Sequence, residues 1–321
     1  MRVGIVTPAH DVAAYVATAI DSVIAQSHPD WAFVVVDDGS RDATAAVAAR
    51  YAHPRLRLLR QANAGVSAAR NAGRAALPAV DAVLFLDADD WLAPDALARL
   101  TAALGAAPDA VAACGAYALV DEAARPGEAP RRVHRRPCGG GGDMLPRLLR
   151  HNRFVNGGHV LLRAGAVARA GPFRTDLRYG EDWEFMTRIA LLGPVAAAPG
   201  PPVLYARQRH GGATLGMATD PAAHAGCIDA IYANPDIAAR FGPRLASLRR
   251  ATEAERDWII GRELIRHGQR DAGLATLARA VRARPHPRRL ALYAAARALP
   301  LLPPRLHGPF RAYPARGDVS G

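Results

Sequence analysis

The chain has 321 residues, half of them hydrophobic and 6% aromatic, a composition typical of globular proteins with a sizeable core. Its formal net charge is +12, and all 41 of its basic residues are arginine. It begins in an apolar run without signal-peptide architecture, and no apolar stretch approaches the roughly 20 residues that span a bilayer. We therefore expect a cytoplasmic protein, either soluble or peripheral on the cytoplasmic face of the inner membrane.

The first 120 residues alternate short β-branched runs with helical patterns. The runs predict strands at residues 3–7, 33–36, 56–59, 82–86 and 110–120. The helical patterns predict helices at residues 15–26, 43–51, 66–77 and 94–104. Because apolar strands alternate with helices, we expect an α/β protein with a mostly parallel, Rossmann-like sheet covered by helices on both faces.

The pattern changes in the second half of the chain. Residues 121–143 are rich in Pro, Gly and Arg and predict a long loop, either a plain insertion or a lid over a site. Mixed helix and strand signals resume at residue 144, and after residue 219 the chain is mostly helical. Residues 258–285 resemble one tetratricopeptide-like hairpin, which as a single copy predicts packing rather than a peptide-binding groove.

Acidic residues follow two of the predicted strands directly. Asp37 and Asp38 end the second strand, and Asp87, Asp89 and Asp90 follow the fourth. Ligands of open parallel sheets bind beyond the carboxyl ends of the strands, although Asp is also a common turn and cap residue. Three carboxylates within four residues repel one another unless a cation neutralises them. Mg²⁺ and Mn²⁺ accept such ligands and share them with phosphates, so a metal–diphosphate site is predicted.

Two further positions have both a functional and an ordinary interpretation. Arg70 lies in the helix that follows the sequence NAGVSAARNAG, where it could bind phosphate or ribose, or be a solvated charge. Asp182 begins a helical pattern, so it could be a general base or an acid favoured by the helix dipole.

Several segments resemble family 2 glycosyltransferases of the bacterial type, in the order expected for that family. They read TPAHDVAAYVATAIDSVIAQSHPDWAFVVVDDGSRDAT, NAGVSAARNAG, FLDADDWLAPDAL, GPFRTDLRYGEDWEFMTRIALLG and LYARQRHGGAT. The resemblance covers about residues 1–215 and implies a GT-A fold that inverts the anomeric carbon. It also implies a nucleotide-diphosphate-sugar donor, with UDP-sugar the first choice, and a divalent cation, Mn²⁺ or Mg²⁺. On this basis residues 1–219 form the glycosyltransferase domain, divided into a donor half (1–113) and an acceptor half (114–219).

The resemblance also assigns roles to individual residues. The nucleobase pocket is lined by Pro8, His10, Asp11 and Asp38, with Asp38 bonded to the base. Arg70 lies near the nucleotide and its phosphates. Asp87 and Asp89 form the D-x-D motif, in which Asp89 binds the metal and Asp87 assists it or approaches the sugar. Asp182 is the catalytic base.

The chain departs from the family pattern in two places. His10 stands where the family usually has Tyr, so the base would stack on imidazole. The closing motif usually reads Tyr-Arg-x-His, whereas here both Arg207 and Arg209 precede His210. Which arginine contacts the donor therefore stays open, and His210 could bind diphosphate, bind metal, or be an ordinary loop histidine.

The positive charge is unevenly distributed. Residues 1–113 carry 9 arginines and 12 acids, residues 114–219 carry 15 and 8, and residues 220–321 carry 17 and 9. The donor half is thus net acidic, which disfavours a nucleic-acid binder. The helical, Arg-rich region 220–321 could contact an anionic membrane or simply pack its apolar face into the core. Three cysteines without metal-ligand spacing predict neither a disulfide framework nor a zinc site.

These observations predict an inverting glycosyltransferase that moves a sugar to the hydroxyl of a saccharide or lipid-linked acceptor. Cell-surface polysaccharide or glycoconjugate synthesis is the expected setting. The alternative is a catalytically inactive sugar-nucleotide-binding scaffold that acts through its helical C-terminal region. A NAD-dependent Rossmann enzyme is disfavoured because VTPAHD contains no G-x-G-x-x-G.

Overall fold

A seven-stranded sheet organises the first part of the chain, with the strand order β10-β6-β9-β4-β1-β2-β3. In the computed structural model, residues 1–128, 134–136, 141–154, 156–209 and 220–298 are described. The strands of this sheet are β1 (Val3–Ala9), β2 (Trp31–Asp38), β3 (Leu56–Gln61), β4 (Ala82–Phe85), β6 (Ala112–Gly115), β9 (Val160–Arg163) and β10 (Val195–Ala198). All pairs are parallel except those of β9, which runs antiparallel to both of its neighbours.

The predicted mostly parallel α/β sheet is therefore confirmed. Strands β1 and β2 are buried along their full lengths because their Val, Ile and Phe side chains are covered on both faces. The helices of this part are α1 (Val16–Ile24), α2 (Thr44–Ala48), α3 (Val66–Ala76), α4 (Ala96–Gly105), α5 (Leu145–Leu148), α6 (Ala164–Ala170) and α7 (Glu181–Leu191). Helix α1 buries Val16, Ile20 and Val23 on one face, as the 3.6-residue periodicity predicts.

A second sheet of four strands has the order β5-β11-β7-β8. These strands are β5 (Trp91–Leu92), β7 (Tyr117–Asp121), β8 (His134–Arg136) and β11 (Leu204–Gln208). The single strand predicted at residues 110–120 is wrong, because β6 and β7 belong to different sheets. The chain changes sheet at Gly115, where a Cβ atom would lie 2.6 Å from the Val203 side chain. The loop predicted at 121–143 also contains β8, which pairs with β7 although its residues carry no strand-like apolar alternation.

The chain divides into two compact units, one built from residues 1–148 and 152–210 and the other from 149–151 and 211–321. The described helices of the second unit are α8 (Pro221–Tyr232), α9 (Pro235–Phe241), α10 (Leu245–Arg266), α11 (Arg270–Ala283) and α12 (Pro287–Ala298). Helices α10 and α11 form a close hairpin, because Gly273 has no side chain to meet the Gly261 carbonyl oxygen 2.7 Å from its Cβ position. None of the helices in the described part of the chain combines the length and the apolar composition that a membrane span requires.

One cysteine also departs from expectation. Cys114, on the buried strand β6, is disulfide-bonded. The spacing of cysteines along a sequence does not reveal which of them the fold brings within bonding distance, so this pairing was not predicted.

Candidate active site

The acidic clusters lie at the carboxyl ends of neighbouring parts of the main sheet, as predicted. Asp38 ends β2, and Asp87, Asp89 and Asp90 follow β4, while β1 lies between these two strands. Helix α3 starts near the end of β2, and helix α7 begins at Glu181. The described part of the site is thus built from strand ends and helix N-termini, where polar groups are free to face a ligand.

The predicted nucleobase residues form one group at the ends of β1 and β2. The Nδ1 atom of His10 lies 2.8 Å from the Asp38 carbonyl oxygen. The Asn63 side-chain nitrogen lies 3.2 Å from Nδ1 and 3.1 Å from Nε2 of the same ring. Pro8 is buried within β1 and pairs in register with Val36. The His10 side chain is 37% exposed.

The Asp38 carboxylate is fully engaged by the chain itself. It accepts hydrogen bonds from the Gln61 side chain at 2.8 Å and from the backbone N–H groups of Ala64 and Gly65 at 2.9 and 2.8 Å. Gly39 has φ +67°, and a Cβ atom there would lie 2.7 Å from the Asn63 nitrogen. Asp38 therefore holds the loop that leads into α3, a role that sequence alone did not indicate.

Asp11 fixes the neighbouring loop in a similar way. It has φ +49° and accepts hydrogen bonds from the Arg41 backbone N–H at 2.7 Å and from the Arg41 guanidinium at 3.1 Å. These bonds, the backbone one foremost, hold the pKa of Asp11 below its usual value. Asp11 is thus ionised, and its Oδ2 lies 3.7 Å from the His10 Nε2.

The D-x-D carboxylates are partly exposed, at 29% for the side chain of Asp87 and 26% for that of Asp89. Burial and the nearby charge of Asp87 raise the pKa of Asp89. The Arg209 guanidinium opposes this, because its Nη1 donates to Asp89 Oδ2 at 3.0 Å. Arg209 also lies over the Tyr15 ring, with its Cζ 4.8 Å from the centroid.

Arg207 points elsewhere and is occupied by backbone carbonyls. Its Nε donates to the Asp89 carbonyl oxygen at 3.0 Å, and its Nη1 donates to the carbonyl oxygens of Glu122 and Ala124 at 2.6 and 2.7 Å. The structure therefore separates the two arginines that the sequence left equivalent. Arg209 binds a D-x-D carboxylate, whereas Arg207 binds three backbone carbonyls near that carboxylate.

Asp90, the third acid of the DADD sequence, is buried and helps to hold the backbone around Arg207 in place. It accepts hydrogen bonds from the Asn156 side chain at 2.5 Å and from the Arg207 backbone N–H at 2.8 Å. Burial, together with the charges of Asp89 and Asp87, raises the pKa of Asp90 well above its ordinary value. Asp90 therefore faces the protein interior and not a ligand.

Arg70 is buried between two carboxylates. Its side chain is only 5% exposed, with Nη2 donating to Asp87 Oδ1 at 2.9 Å and Nη1 to Glu181 Oε1 at 2.8 Å. Burial by itself lowers the pKa of Arg70, but the charges of Asp87 and Glu181 raise it above the ordinary value. Arg70 thus joins the D-x-D segment to the start of α7, and Asn71 beside it exchanges two hydrogen bonds with the Phe173 backbone.

Asp182 lies in the first turn of α7, next to Glu181. Its carboxylate accepts hydrogen bonds from the Asn152 side chain at 3.2 Å and from the Trp183 backbone N–H at 2.6 Å. Burial, and then the neighbouring charge of Glu181, raises the pKa of Asp182 to about 7, while Arg70 acts in the opposite direction. A carboxylate with that pKa is suited to accept a proton near neutral pH.

Asp87 and Asp89 fit a hard divalent cation in ligand type and charge. Their carboxylate oxygens are the ligands that Mg²⁺ and Mn²⁺ prefer, and their mutual repulsion would be relieved by a cation. Within the described residues, no group of three or more His, Cys, Asp or Glu side chains converges as a metal cage. His210 lies outside the described residues.

Several residues that shape the site were not among the predicted site residues. Glu181, Asn152 and Tyr15 each bind a predicted site residue or lie beside one. Glu181 was the most accessible to prediction, since it directly precedes Asp182. Asn152 lies 30 positions away from Asp182, and no local pattern links the two.

The fold and this arrangement of carboxylates define a class, the GT-A nucleotide-diphospho-sugar transferases. The family model described as "Glycosyl transferase family 2" matches residues 4–167, about half of the chain. The chain belongs to glycosyltransferase family 2.

Similar proteins agree with this membership. The succinoglycan biosynthesis protein ExoO of Rhizobium meliloti is 41% identical over 96 residues, 30% of this chain and 27% of that protein. Among curated relatives, the aligned segments cover between 14% and 39% of the relative's length.

Solved structures show the same fold. Residues 1–349 of TarS from S. aureus align with a TM-score of 0.60 at 17% identity, covering 93% of this chain and 87% of that one. TarS 1–349 has also been solved in complex with UDP-GlcNAc. A mannosyltransferase from Pyrobaculum calidifontis, in complex with GDP-Man and Mn²⁺, aligns with a TM-score of 0.56 at 23% identity, covering 94% and 81%.

Proposed function

We propose that this protein transfers a sugar from a nucleotide-diphosphate donor to an acceptor hydroxyl, with inversion at the anomeric carbon. The observation that carries the proposal is the cluster in which Arg70 joins Asp87 to the helix that bears Asp182. This cluster puts a D-x-D carboxylate and a carboxylate with a raised pKa in one network.

In the proposed reaction, the nucleobase lies between the exposed His10 ring and the wall formed by Asp11 and the Asp38 loop. Asp38 acts by holding Ala64 and Gly65 in place rather than through a free carboxylate. Arg209, whose guanidinium is about a quarter exposed, is the arginine we assign to the donor diphosphate, because Arg207 is bound to backbone carbonyls.

Asp182 acts as the general base. Its carboxylate would accept the proton of the acceptor hydroxyl as that oxygen attacks the anomeric carbon from the face opposite the diphosphate. A positioned carboxylate of this kind contributes about 10²–10⁴-fold to the rate. Asn152 and the Trp183 N–H hold the carboxylate in one orientation.

Asp89, assisted by Asp87, would hold a divalent cation together with oxygens of the donor diphosphate. When bound, Mn²⁺ or Mg²⁺ stabilises the negative charge that develops on the departing nucleotide diphosphate. To test this, UDP binding is measured by calorimetry with Mn²⁺ and with chelator. Asp89→Ala should abolish the Mn²⁺-dependent part of binding, and equal binding by both proteins in both conditions would remove the assignment.

The donor is best identified by a hydrolysis screen of UDP-, GDP- and other nucleotide sugars with Mn²⁺ or Mg²⁺. We expect one class of nucleotide to be released, with UDP-sugars the first candidates given the solved TarS complex. GDP-sugars are the alternative, given the mannosyltransferase complex. A folded protein that binds and hydrolyses no nucleotide sugar in any condition would favour the inactive scaffold instead.

The acceptor we propose is a saccharide or lipid-linked saccharide of a cell-surface polysaccharide. The support is the succinoglycan relative, whose name concerns polysaccharide synthesis. Product analysis with a radiolabelled donor and candidate acceptors tests this. Transfer only to water would contradict it.

We also assign peripheral membrane contact to the junction of α11 and α12. Arg282, Arg284 and Arg288 are exposed there, Leu290 is 49% exposed, and no acid follows Asp271 in the described part of the chain. Exposed arginines around an apolar side chain suit an anionic lipid surface.

The membrane assignment is tested by co-sedimentation with vesicles of phosphatidylcholine alone or with added phosphatidylglycerol. The full chain should bind only the anionic vesicles, and less at high salt. Changing the three arginines to Gln should remove binding. The matched control changes exposed Arg50, Arg57 and Arg169 to Gln, which removes the same charge elsewhere. Equal loss in both variants would mean a non-specific charge effect and would overturn the assignment.

A further inference from the structure

Arg70 has the contacts of a structural connector rather than of a ligand group. Both terminal nitrogens of its guanidinium are already bound, one to Asp87 and one to Glu181, and the side chain is 5% exposed. The Phe173 ring covers it, with the Arg70 Cζ 5.3 Å from the ring centroid. The Arg70 Nε has no hydrogen-bond partner in the described part of the chain, but the atom is buried, so a phosphate could reach this guanidinium only by displacing the side chains that cover it.

The two carboxylates that Arg70 joins come from distant parts of the sequence. Asp87 follows β4 and belongs to the D-x-D motif, whereas Glu181 starts α7 and is adjacent to Asp182. A planar guanidinium suits this arrangement, because its two terminal nitrogens can each donate to a different carboxylate. We propose that Arg70 is a positioning residue that ties the D-x-D segment to the helix bearing the base, and is not a ligand of the donor diphosphate.

The charges around Asp182 support the same role. The groups that act on its carboxylate are Glu181 and Asp87, which disfavour its ionised form, and Arg70, which favours it. Asn152 contributes a neutral hydrogen bond. Arg70 thus lowers the pKa of Asp182 and Glu181 raises it, although the two residues are bound to each other. This inference rests on the proposed function only in treating Asp182 as the base.

The first test follows Asp182 directly and needs no turnover. Protein labelled with ¹³C at aspartate carboxyls is titrated by NMR, and Asp182→Asn identifies the signal. Arg70→Met should raise the Asp182 midpoint by about one pH unit, and Glu181→Gln should lower it by about one pH unit. Shifts of opposite sign show that both charges act on Asp182, and the UDP affinity measured below then separates positioning from donor binding. Midpoints unchanged in both variants would overturn the proposal.

The second test separates positioning from donor binding. UDP affinity in Mn²⁺ should stay within about threefold of wild type in Arg70→Met, while the catalytic rate falls at least about tenfold. Arg70→Lys should not restore the rate, because lysine has a single nitrogen in place of the two separate guanidinium nitrogens that bind Glu181 and Asp87. The matched control is Arg74→Met, one turn later on α3, since within the described residues the Arg74 guanidinium donates to the carbonyls of Val167 and Gly171 and to no carboxylate.

A loss of UDP affinity of about a hundredfold in Arg70→Met, with an unshifted Asp182 midpoint, would instead make Arg70 a donor ligand. If Arg70→Met does not fold, Glu181→Gln provides the test, because it removes the ion pair at one end and keeps the Arg70–Asp87 pair. An Asp182 midpoint that does not fall in Glu181→Gln would then overturn the proposal. An inactive wild-type protein would count against the proposed function, while the NMR titration would still test Arg70.

Discussion

Arginine has opposite surroundings in two regions of this molecule. Around the carboxylates of the main sheet, Arg70, Arg207 and Arg209 each have defined partners. Arg70 binds Asp87 and Glu181, Arg207 binds backbone carbonyls, and Arg209 binds Asp89. At the junction of α11 and α12, Arg282 and Arg284 are exposed, and within the described residues they have no carboxylate partner. Net charge therefore does not reveal what an arginine does. Its partners do.

Because the arginines of the two regions differ in their partners, changes near the sheet carboxylates should affect catalysis strongly, whereas changes at the α11–α12 junction should not.

The largest effect is expected at Asp182. Asp182→Asn should lower the transfer rate by about 10²–10⁴-fold, because the amide cannot accept the acceptor proton. Steady-state rates and UDP calorimetry measure this, with donor binding expected to stay near normal. Undiminished turnover in the folded variant would exclude Asp182 as the base.

The second prediction concerns pH. The pKa of Asp182 is raised to about 7, so below that pH the carboxyl group holds a proton and cannot act as a base. The transfer rate should therefore fall about tenfold for each pH unit below 7 and level off above it. Rates measured from pH 5 to 9 at saturating donor check this. A rate that stays level down to pH 5 would contradict it.

The third prediction distinguishes Arg207, which lies in β11, from Arg209, which follows that strand. Arg209→Met should lower kcat/KM for the donor by about tenfold with little change in stability, because it removes a partly exposed guanidinium at Asp89. Arg207→Met should lower the free energy of unfolding by about 1–3 kcal/mol, because it leaves backbone carbonyls unpaired. Denaturant unfolding and steady-state kinetics on both variants test the pair. The reverse pattern would show that the roles are exchanged.

The smallest effect is expected at the α11–α12 junction. Arg282→Gln with Arg284→Gln and Arg288→Gln should change the rate on a soluble acceptor by less than about twofold and stability by under about 0.5 kcal/mol. The expected consequence is confined to binding of anionic vesicles. A large loss of activity without vesicles would mean that these arginines take part in the reaction, and the contrast between the two regions would fail.

Much of the fold could be predicted from the sequence because its signals are local. Apolar runs such as residues 33–36 and the 3.6-residue period of α1 depend on neighbouring side chains, and both formed as expected. The acids after β2 and β4 were placed correctly for the same reason, since a strand end is visible in the sequence. The division of residues 110–120 between two sheets was missed, because it depends on the close approach of Val203 to Gly115.

The motifs of the chain were enough to predict a family 2 glycosyltransferase sheet with carboxylates at its strand ends. They did not show which charged side chains meet, which depends on how the helices and strands pack. Arg70 and Glu181 are 111 positions apart, and Arg209 and Asp89 are 120 apart. No local pattern encodes such pairs, because an ion pair depends on distance in space, and that distance is set by the packing of α3, β4 and α7. The same packing separates Arg207 from Arg209, which the sequence left as equals.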